Sequence, residues 1–255
     1  MSSAVITGAS AGLGKEYFDL VANNFEDIDE IWIISRSKEK LDALAKSIDT
    51  DKKTVIAVYL DLSEEKSFEM LSKIFEMHKP DIRLLINNAG CGNLKDFDEL
   101  TLEETLSTVK LNTVGFTLMN KICLPYMGED SYIINVSSIG SFAPTPKMSV
   151  YCATKAYVSS LSLALSEELI DKGIVVTTVC PGPMETNFFE AGKINMEDSK
   201  KFSSLPRENH REIAERSLKA AMKGKRMYVG KLYFKIYRFL SKILPIDALI
   251  GISKL

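Results

Sequence analysis

The sequence predicts a three-layer α/β fold, in which a doubly wound parallel sheet of about seven strands lies between two layers of helices. Seven short apolar runs rich in β-branched residues recur along the chain, and they are continuous instead of alternating with polar residues. Continuous runs are typical of strands that helices cover on both faces. The predicted strands are Ala4–Thr7, Ile31–Ser35, Val55–Leu60, Leu84–Asn87, Tyr132–Val136, Val175–Val179 and Arg226–Val229.

The segments between these runs carry helix start and stop signals. Apolar residues recur at helical spacing between Ser63 and Pro80, and proline cannot continue a helix. Thr101 and Glu104 have the spacing of a capping box, and Gly173 is the expected end of a long helix. Strict alternation of strands and helices, without a linker or an internal repeat, predicts a single domain whose ligands bind beyond the carboxyl ends of the strands.

Composition and charge exclude several classes of protein. The 255 residues are 45% hydrophobic and 26% charged, as in ordinary globular domains, and the net charge of −2 argues against a dedicated nucleic-acid binder. The sequence has neither an apolar run of membrane-spanning length nor a secretory signal pattern, so we expect a cytoplasmic protein. Two histidines and four separated cysteines give no metal-binding pattern, and the thiols are expected to be reduced.

A glycine-rich turn follows the first strand. Gly8, Gly12 and Gly14 are spaced G-x3-G-x-G directly before a helical pattern. Glycines let the backbone approach a phosphate closely, and a helix N-terminus offers N–H groups and partial positive charge. This turn is the candidate site for a dinucleotide pyrophosphate, although such a turn can also be purely structural.

The same residues match a second motif. Gly8, Ser10 and Gly12 have the G-x-S-x-G spacing of the nucleophile elbow of serine hydrolases. That elbow requires several strands before it, whereas only seven residues precede Gly8 here, and only His78 and His210 could serve as the base. We therefore favour the dinucleotide site.

The end of the second strand indicates which dinucleotide is preferred. An acidic residue is expected there when the ribose carries a free 2′-hydroxyl, but this chain has Ser35 and Arg36. A hydroxyl and a guanidinium form charge-assisted hydrogen bonds with a 2′-phosphate, so the sequence predicts NADP(H) over NAD(H).

Tyr151 and Lys155 lie four residues apart at the start of a predicted helix, after Ser137 and Ser138 at the end of a strand. Residues i and i+4 share a helix face, so the two side chains are expected to be close. At about 5 Å and an effective dielectric constant of about 20, their interaction is roughly 3 kcal/mol, which lowers a phenol pKa by about 2. Such a pKa suits a general acid and base.

Together, in this order, the motifs resemble the classical short-chain dehydrogenases/reductases. The resemblance covers about residues 3–190 and implies a Rossmann-type fold with hydride transfer between a substrate carbon and a nicotinamide dinucleotide. The motifs that carry it are Thr7-Gly8-x3-Gly12-x-Gly14, Asp61, Asn87-Asn88-Ala89-Gly90, Asn112, Ser138, Tyr151-x3-Lys155 and Pro181-Gly182-x3-Thr186.

The resemblance also implies roles for these residues. Tyr151 would exchange a proton with the substrate oxygen, and Ser138, with Ser137 as second choice, would hydrogen-bond that oxygen. Lys155 would bind the nicotinamide ribose, and Asn112 would hold a water of a proton relay. For Asn88, Ala89 and Gly90, a structural role is as good an interpretation as contact with the cofactor. The candidate cofactor-binding residues are Gly8, Ser10, Gly12, Leu13, Gly14, Ser35, Arg36, Asp61, Leu62, Asn88, Ala89, Gly90, Tyr151, Lys155, Pro181, Gly182 and Thr186.

Apolar residues follow the cofactor motifs at positions expected near a substrate. They favour a lipophilic ketone or alcohol, such as a 3-oxoacyl chain or a steroid-like ring, although these positions can equally belong to the core. The polar segment 184–211 is longer than a typical connection and predicts a lid. The candidate substrate residues are Leu94, Ile139, Phe142, Met184 and Phe188.

We expect residues 1–230 to form the catalytic domain and residues 231–255 a basic amphipathic extension. From residue 223 to the end there are eight basic residues and one acidic residue, a local charge of +7, against −9 for the preceding part. Such a helix can lie on an anionic membrane, cover the substrate cleft or contact another subunit. Its basic residues at helical spacing are Lys231, Lys235, Arg238 and Lys242.

The favoured hypothesis is an NADP(H)-dependent oxidoreductase acting on a carbonyl/alcohol pair. A non-catalytic NADP(H)-binding sensor or scaffold is the alternative, and a sugar-nucleotide epimerase is disfavoured because the chain lacks room for a second domain. The resemblance implies a homodimer or homotetramer through the helices after Asn112 and Tyr151.

Overall fold

The computed structural model describes residues 1–48, 53–184 and 204–254. In this part of the chain, parallel strands form one seven-stranded sheet in the order β3-β2-β1-β4-β5-β6-β7. All seven predicted strands are confirmed, with ends that differ by three residues or fewer. The strands are β1 (Ser2–Thr7), β2 (Glu30–Ser35), β3 (Thr54–Tyr59), β4 (Asp81–Asn87), β5 (Ser131–Val136), β6 (Ile174–Cys180) and β7 (Met227–Val229).

Helices connect the strands and follow the last one. They are α1 (Gly12–Asn24), α2 (Lys38–Lys46), α3 (Glu65–His78), α4 (Leu102–Val109), α5 (Phe116–Cys123), α6 (Ser149–Glu168), α7 (His210–Met222), α8 (Leu232–Ile243) and α9 (Ile246–Ser253).

The predicted helix signals are confirmed at α4 and after α6. At α4, the Glu104 N–H donates to the Thr101 hydroxyl over 3.1 Å, and the Glu104 carboxylate accepts from the Thr101 N–H over 2.9 Å. This reciprocal pair satisfies two of the N–H groups that a helix start leaves unpaired. After α6, Gly173 reverses the chain with a φ of 66°, a conformation that a residue without a Cβ adopts at little cost.

Two apolar clusters hold helices on opposite faces of the sheet. On β1, Ile6 packs in the cluster that includes α1 and α7, whereas its neighbour Val5 packs in the cluster that includes α3 and α5. Neighbouring side chains of a strand point to opposite faces, so a continuous apolar run serves both layers. The doubly wound, single-domain architecture that the sequence predicts is confirmed.

The chain reverses its winding direction between β1 and β4, which are neighbours in the sheet. The Thr7 hydroxyl at the end of β1 accepts hydrogen bonds from the N–H groups of Asn88 and Ala89, both over 2.9 Å. These bonds join the loops that follow β1 and β4. A crevice therefore opens at the carboxyl edge of the sheet, where doubly wound proteins bind their ligands.

The C-terminal helices fold back over this edge. Phe234 of α8 is fully buried, and the Ser253 hydroxyl at the end of α9 donates to the Pro144 carbonyl over 2.6 Å. The buried carboxylate of Glu208 accepts from the N–H groups of Gly182 and Lys231, each over 2.6 Å, and so links the loop after β6 to the start of α8. Among the described residues, no helix combines the length and apolarity needed to cross a membrane.

Candidate active site

A cleft of about 510 Å³ opens at the carboxyl ends of the strands. It brings together residues from the glycine-rich turn, the end of β2, the loop after β4 and the start of α6, which are far apart in the sequence. The predicted site residues on its wall are Gly8, Ser10, Gly12, Leu13, Ser35, Arg36, Asp61, Leu62, Asn88, Ala89, Gly90, Ser138, Ile139, Tyr151, Lys155, Pro181, Gly182 and Met184.

Some predicted site residues do not line this wall. Gly14, Leu94, Asn112 and Phe142 lie behind it, and Thr186 and Phe188 fall outside the described residues. The predicted lid also lies largely outside them, because residues 185–203 are not described.

The glycine-rich turn has the backbone geometry of an anion cradle. Gly8 and Gly12 have φ values of 67° and 53°, which residues with a Cβ rarely adopt. A Cβ at Gly14 would collide with the Gly8 carbonyl and approach Asn88 Nδ2 to 2.7 Å, so Gly14 permits the close packing of the turn instead of contacting a ligand. The first turn of α1 has no acidic residue. This helix start therefore fits a pyrophosphate.

Positive charge lines the cleft at the end of β2. The Arg36 guanidinium lies 3.5 Å from the Asp61 carboxylate, and Lys40 is a further wall residue that the sequence analysis missed. Burial raises the pKa of Asp61, but hydrogen bonds from Ser63 and the charge of Arg36 outweigh it and leave the pKa below its ordinary value. Lys40 lies in the first turn of α2, where a cation is unfavourable unless an anion is nearby, and this signal could have identified it.

Ser138 is the serine beside Tyr151. The two side chains are hydrogen-bonded, and Ser138 Oγ also accepts from the Gly140 N–H over 3.1 Å. The Ser137 hydroxyl is engaged elsewhere, because it donates to the Lys155 carbonyl over 2.9 Å and lies 2.8 Å from the Ser159 hydroxyl. The geometry therefore supports the choice of Ser138 over Ser137.

The pKa of Tyr151 differs in direction from the sequence-based expectation. Burial of the hydroxyl raises the pKa above its ordinary value, and the hydrogen bond with Ser138 opposes this effect only in part. Lys155 Nζ lies 5.9 Å from the centroid of the Tyr151 ring. The expectation counted the attraction between the two side chains but omitted the cost of removing the phenolate from water, which is the larger effect here.

Lys155 is itself buried, with an exposed fraction of 4%. Its Nζ donates to the Val136 carbonyl at the end of β5 over 3.0 Å. Burial lowers the pKa of Lys155 to about 8, since a low-dielectric environment disfavours the ammonium. The protonated form still predominates near neutral pH.

The Asn112 side chain is hydrogen-bonded to the loop after β4. Its Oδ1 accepts from the Cys91 N–H over 2.9 Å, and its Nδ2 donates to the Cys91 carbonyl over 2.7 Å and to the Thr154 hydroxyl over 3.0 Å. A Cβ on Gly90 would lie 3.1 Å from both Asn112 Oδ1 and Lys155 Nζ, so the three residues converge. Both N–H groups of the Asn112 side chain are therefore occupied, and its role in a proton relay stays a prediction.

At the other end of the cleft, the expected substrate residues separate into two groups. Ile139 and Met184 line the wall, whereas Leu94 packs with Met148 and Cys152. Phe142 packs behind the wall in the cluster of Phe234, with its ring centroid 6.1 Å from that of Tyr237. Leu94 is therefore a core residue, and Phe142 is half-buried against the cluster of Phe234, which agrees with the alternative interpretation of these two positions.

The C-terminal helices supply wall residues that the sequence analysis did not assign to the site. The amphipathic pattern of α8 was visible, but not which of its faces meets the cleft. The additional wall residues from α8 and α9 are Tyr233, Phe234, Tyr237, Ile252 and Ser253.

Among the described residues of the cleft wall, none supports serine hydrolase chemistry around Ser10. Neither His78 nor His210 lines the cleft. Within the described ranges, no group of three His, Cys, Asp or Glu side chains could hold a metal ion. A doubly wound sheet with a glycine-rich turn at its switch point instead defines a Rossmann-type nucleotide-binding protein.

Comparison with known proteins identifies the family. The short chain dehydrogenase family model matches residues 2–227, and the chain therefore belongs to this family of oxidoreductases. An uncharacterized oxidoreductase of Staphylococcus aureus (strain USA300) is 29% identical over 231 residues, which cover 90% of this chain and 94% of the relative.

Solved structures have the same fold. A short-chain dehydrogenase from Sphingobium yanoikuyae, solved in complex with NADPH, is 25% identical, covers 96% of this chain and 97% of its own, and has a TM-score of 0.78. A short-chain dehydrogenase/reductase from Burkholderia phymatum, solved in complex with NAD, is 20% identical, covers 94% and 92%, and has a TM-score of 0.81.

Proposed function

We propose that this protein is an NADP(H)-dependent oxidoreductase that interconverts a ketone or aldehyde and the corresponding alcohol. The observation that carries this proposal is the convergence of Ser138, Tyr151 and Lys155 on the same cleft as the glycine-rich turn and Arg36. A dinucleotide fits the cleft, because a glycine cradle and a helix N-terminus lie at one end and a guanidinium lies beside them.

The acid–base work belongs to Tyr151. Its hydroxyl is protonated near neutral pH, as that of a tyrosine with an ordinary pKa also is, and this is the form that donates a proton to the carbonyl oxygen during reduction. Ser138, already hydrogen-bonded to Tyr151, holds the same oxygen and stabilises its developing negative charge. When bound, the dinucleotide would supply or accept the hydride. Lys155 places a positive charge near the tyrosine, which favours proton release from the hydroxyl.

The preference for NADP(H) rests on charge at the end of β2. Arg36, Lys40 and Ser35 line the cleft there, and they offer two cations and a hydroxyl to a 2′-phosphate. The relative from Sphingobium yanoikuyae was solved with NADPH and the one from Burkholderia phymatum with NAD, so the proposed preference rests on the residues at the end of β2.

Arg36→Ala tests this preference. A charge-assisted hydrogen bond contributes about 1.5–3 kcal/mol, so the ratio of kcat/KM for NADPH over NADH should fall roughly 10- to 100-fold. Lys66→Ala, on an exposed position of α3, is the matched control and should leave the ratio unchanged. An unchanged ratio in Arg36→Ala contradicts the assigned phosphate site.

The substrate is proposed to be lipophilic, such as a 3-oxoacyl chain or a steroid-like ring. Ile139, Met184, Tyr233 and Tyr237 line the same cleft as Tyr151 and give its wall apolar and aromatic surface. Burial of such surface favours ligands that have few polar groups in need of hydrogen bonds.

The reaction is tested by following NADPH consumption with a panel of lipophilic ketones and aldehydes. Tyr151→Phe removes the proton donor and should lower kcat by about 10²- to 10⁴-fold. Tyr157→Phe is the control, because Tyr157 lies on the same helix but hydrogen-bonds Thr117 on the protein surface. Full activity of Tyr151→Phe would refute the mechanism, whereas NADPH binding without turnover of any compound would favour the sensor or scaffold alternative.

A homodimer or homotetramer through the region of α5 and α6 is also proposed. Val114, Tyr157 and Leu163 are each exposed there although they are apolar or aromatic. Light scattering coupled to size exclusion tests this proposal: Leu163→Lys should lower the measured mass, and an unchanged mass places the contact elsewhere.

A further inference from the structure

Helix α8 has an exposed apolar face opposite its buried face. Phe234 is fully buried against the cleft, whereas the outward side carries four large apolar residues at spacings of four, three and four. These spacings place them on one face of an α-helix. We call them the apolar row: Leu232, Ile236, Phe239 and Ile243, each 51–70% exposed.

A line of positive charge runs beside the apolar row. Each basic residue precedes one member of the row by a single position, so the cations form their own stripe along one flank of α8. The basic row consists of Lys231, Lys235, Arg238 and Lys242. No acidic residue lies between Lys231 and Pro245, and the segment from residue 223 onwards has a charge of +7.

We propose that the apolar row and the basic row together form a docking surface for a lipid bilayer that contains anionic lipids. A helix with one apolar face and flanking cations lies parallel to such a surface. Its apolar side chains lie below the lipid headgroups, and its cations lie among the headgroups. Docking of this kind is peripheral, because the helix lies along the surface of the bilayer.

The charge distribution decides between a membrane and a second copy of the chain. A symmetric contact through α8 would bring two segments of charge +7 together, and this repulsion opposes association. An anionic lipid surface complements the same charge. The body of the protein, residues 1–222, has a charge of −9, so attraction would be confined to the C-terminal side and would orient the molecule.

Docking through this surface would place the cleft next to the membrane. Tyr233 and Tyr237 of α8 line the cleft, so one helix would contact lipid on one side and the bound substrate on the other. A lipophilic substrate could then reach the cleft from the bilayer. This consequence rests on the proposed function, whereas docking itself does not.

Sedimentation with vesicles tests the proposal on the full chain without any substrate. Vesicles of phosphatidylcholine are compared with vesicles that contain about 30% phosphatidylglycerol. We expect at least tenfold tighter binding to the anionic vesicles, and weaker binding at high salt because the charges are then screened. Equal binding to both vesicle types, or binding to neither, overturns the proposal.

Two paired variants separate the contributions of the two rows. Lys235→Gln with Lys242→Gln removes two charges and should weaken binding to the anionic vesicles about 25-fold, since each cation near such a surface contributes roughly a factor of five. Ile236→Ser with Phe239→Ser removes exposed apolar surface and should weaken binding at least tenfold.

Matched controls make the same kinds of change on α3, lysine to glutamine and large apolar residue to serine. They are Lys66→Gln with Lys73→Gln, and Met70→Ser with Met77→Ser, all at exposed positions. Neither pair should alter vesicle binding, and circular dichroism checks that every variant is folded. Wild-type binding by both α8 pairs overturns the proposal.

Measurement of molecular mass distinguishes between a lipid bilayer and a second copy of the chain as the partner of the apolar row. A smaller mass for Ile236→Ser with Phe239→Ser than for the wild-type chain would assign the apolar row to a contact between copies, and so overturn lipid docking. Loss of vesicle binding leaves carbonyl reduction in solution unaffected. Conversely, a protein without reductase activity can still bind vesicles. A failure of the docking proposal is therefore distinguishable from a failure of the proposed function.

Discussion

Near neutral pH, we expect the wild-type protein to be less stable than the Lys155→Met variant. Burial lowers the pKa of Lys155 from 10.5 to about 8. The unfolded chain therefore binds the proton more tightly than the folded protein does, and stability rises as the pH increases from about 8 to about 10.5. Below about pH 8, Lys155 is protonated in both states, and the folded protein bears the full cost of burying the ammonium. The pKa difference between the two states corresponds to a cost of about 3 kcal/mol.

The expected gain of Lys155→Met follows from this cost and from one lost contact. The variant loses the hydrogen bond from Nζ to the Val136 carbonyl, which is worth about 1 kcal/mol. The net stabilisation is therefore about 2 kcal/mol near pH 7. Near pH 9.5 the proton-linked cost falls to about 1 kcal/mol, and the gain should vanish.

Urea denaturation of wild type and variant at about pH 7 and about pH 9.5, at one protein concentration, measures this difference. Lys66→Met removes a lysine from an exposed position of α3 and should give the same small effect at both pH values. A Lys155→Met gain that is equal at the two pH values would refute the assigned burial cost.

The remaining predictions concern the attachment of the C-terminal helices and the start of α4. Glu208→Ala leaves the N–H groups of Gly182 and Lys231 without their charged acceptor and should cost about 3–5 kcal/mol, with faster tryptic cleavage after Arg238; an unchanged cleavage rate contradicts this linkage. Phe234→Ala should also release the helices, because truncation of a buried phenylalanine costs about 3–5 kcal/mol, whereas Phe239→Ala at an exposed position should not; equal cleavage of the two variants would show that Phe234 is not the anchor. Thr101→Ala should lower the free energy of unfolding by about 1 kcal/mol in urea titrations through loss of the capping box, and undiminished stability counts against that role.

Features that depend on neighbouring residues were predictable from the sequence. The strands were visible because continuous apolar runs are required when both faces of a strand are covered. The capping box at Thr101 and the glycine turn at Gly8 were visible because each is completed within a few residues. The helical spacing of Tyr151 and Lys155 likewise placed both side chains on one face before any tertiary contact was known.

Features that depend on burial were not predictable in the same way. The expectation for Tyr151 included a nearby charge but not the desolvation that reverses the direction of its pKa. Glu208 lies in a segment that the sequence marked only as polar and long, and its role became visible when Gly182 and Lys231 were found on either side of its carboxylate.

The sequence by itself determined the order of the elements, because this follows from local spacing along the chain, and its motifs resembled the family that the family model then identified. Only the tertiary structure decided which face of α8 meets the cleft, which apolar residues pack behind the wall, and that Lys155 carries a lowered pKa. The physical reason is that desolvation and packing depend on which distant segments enclose a side chain, and this information is not contained in the spacing of neighbouring residues.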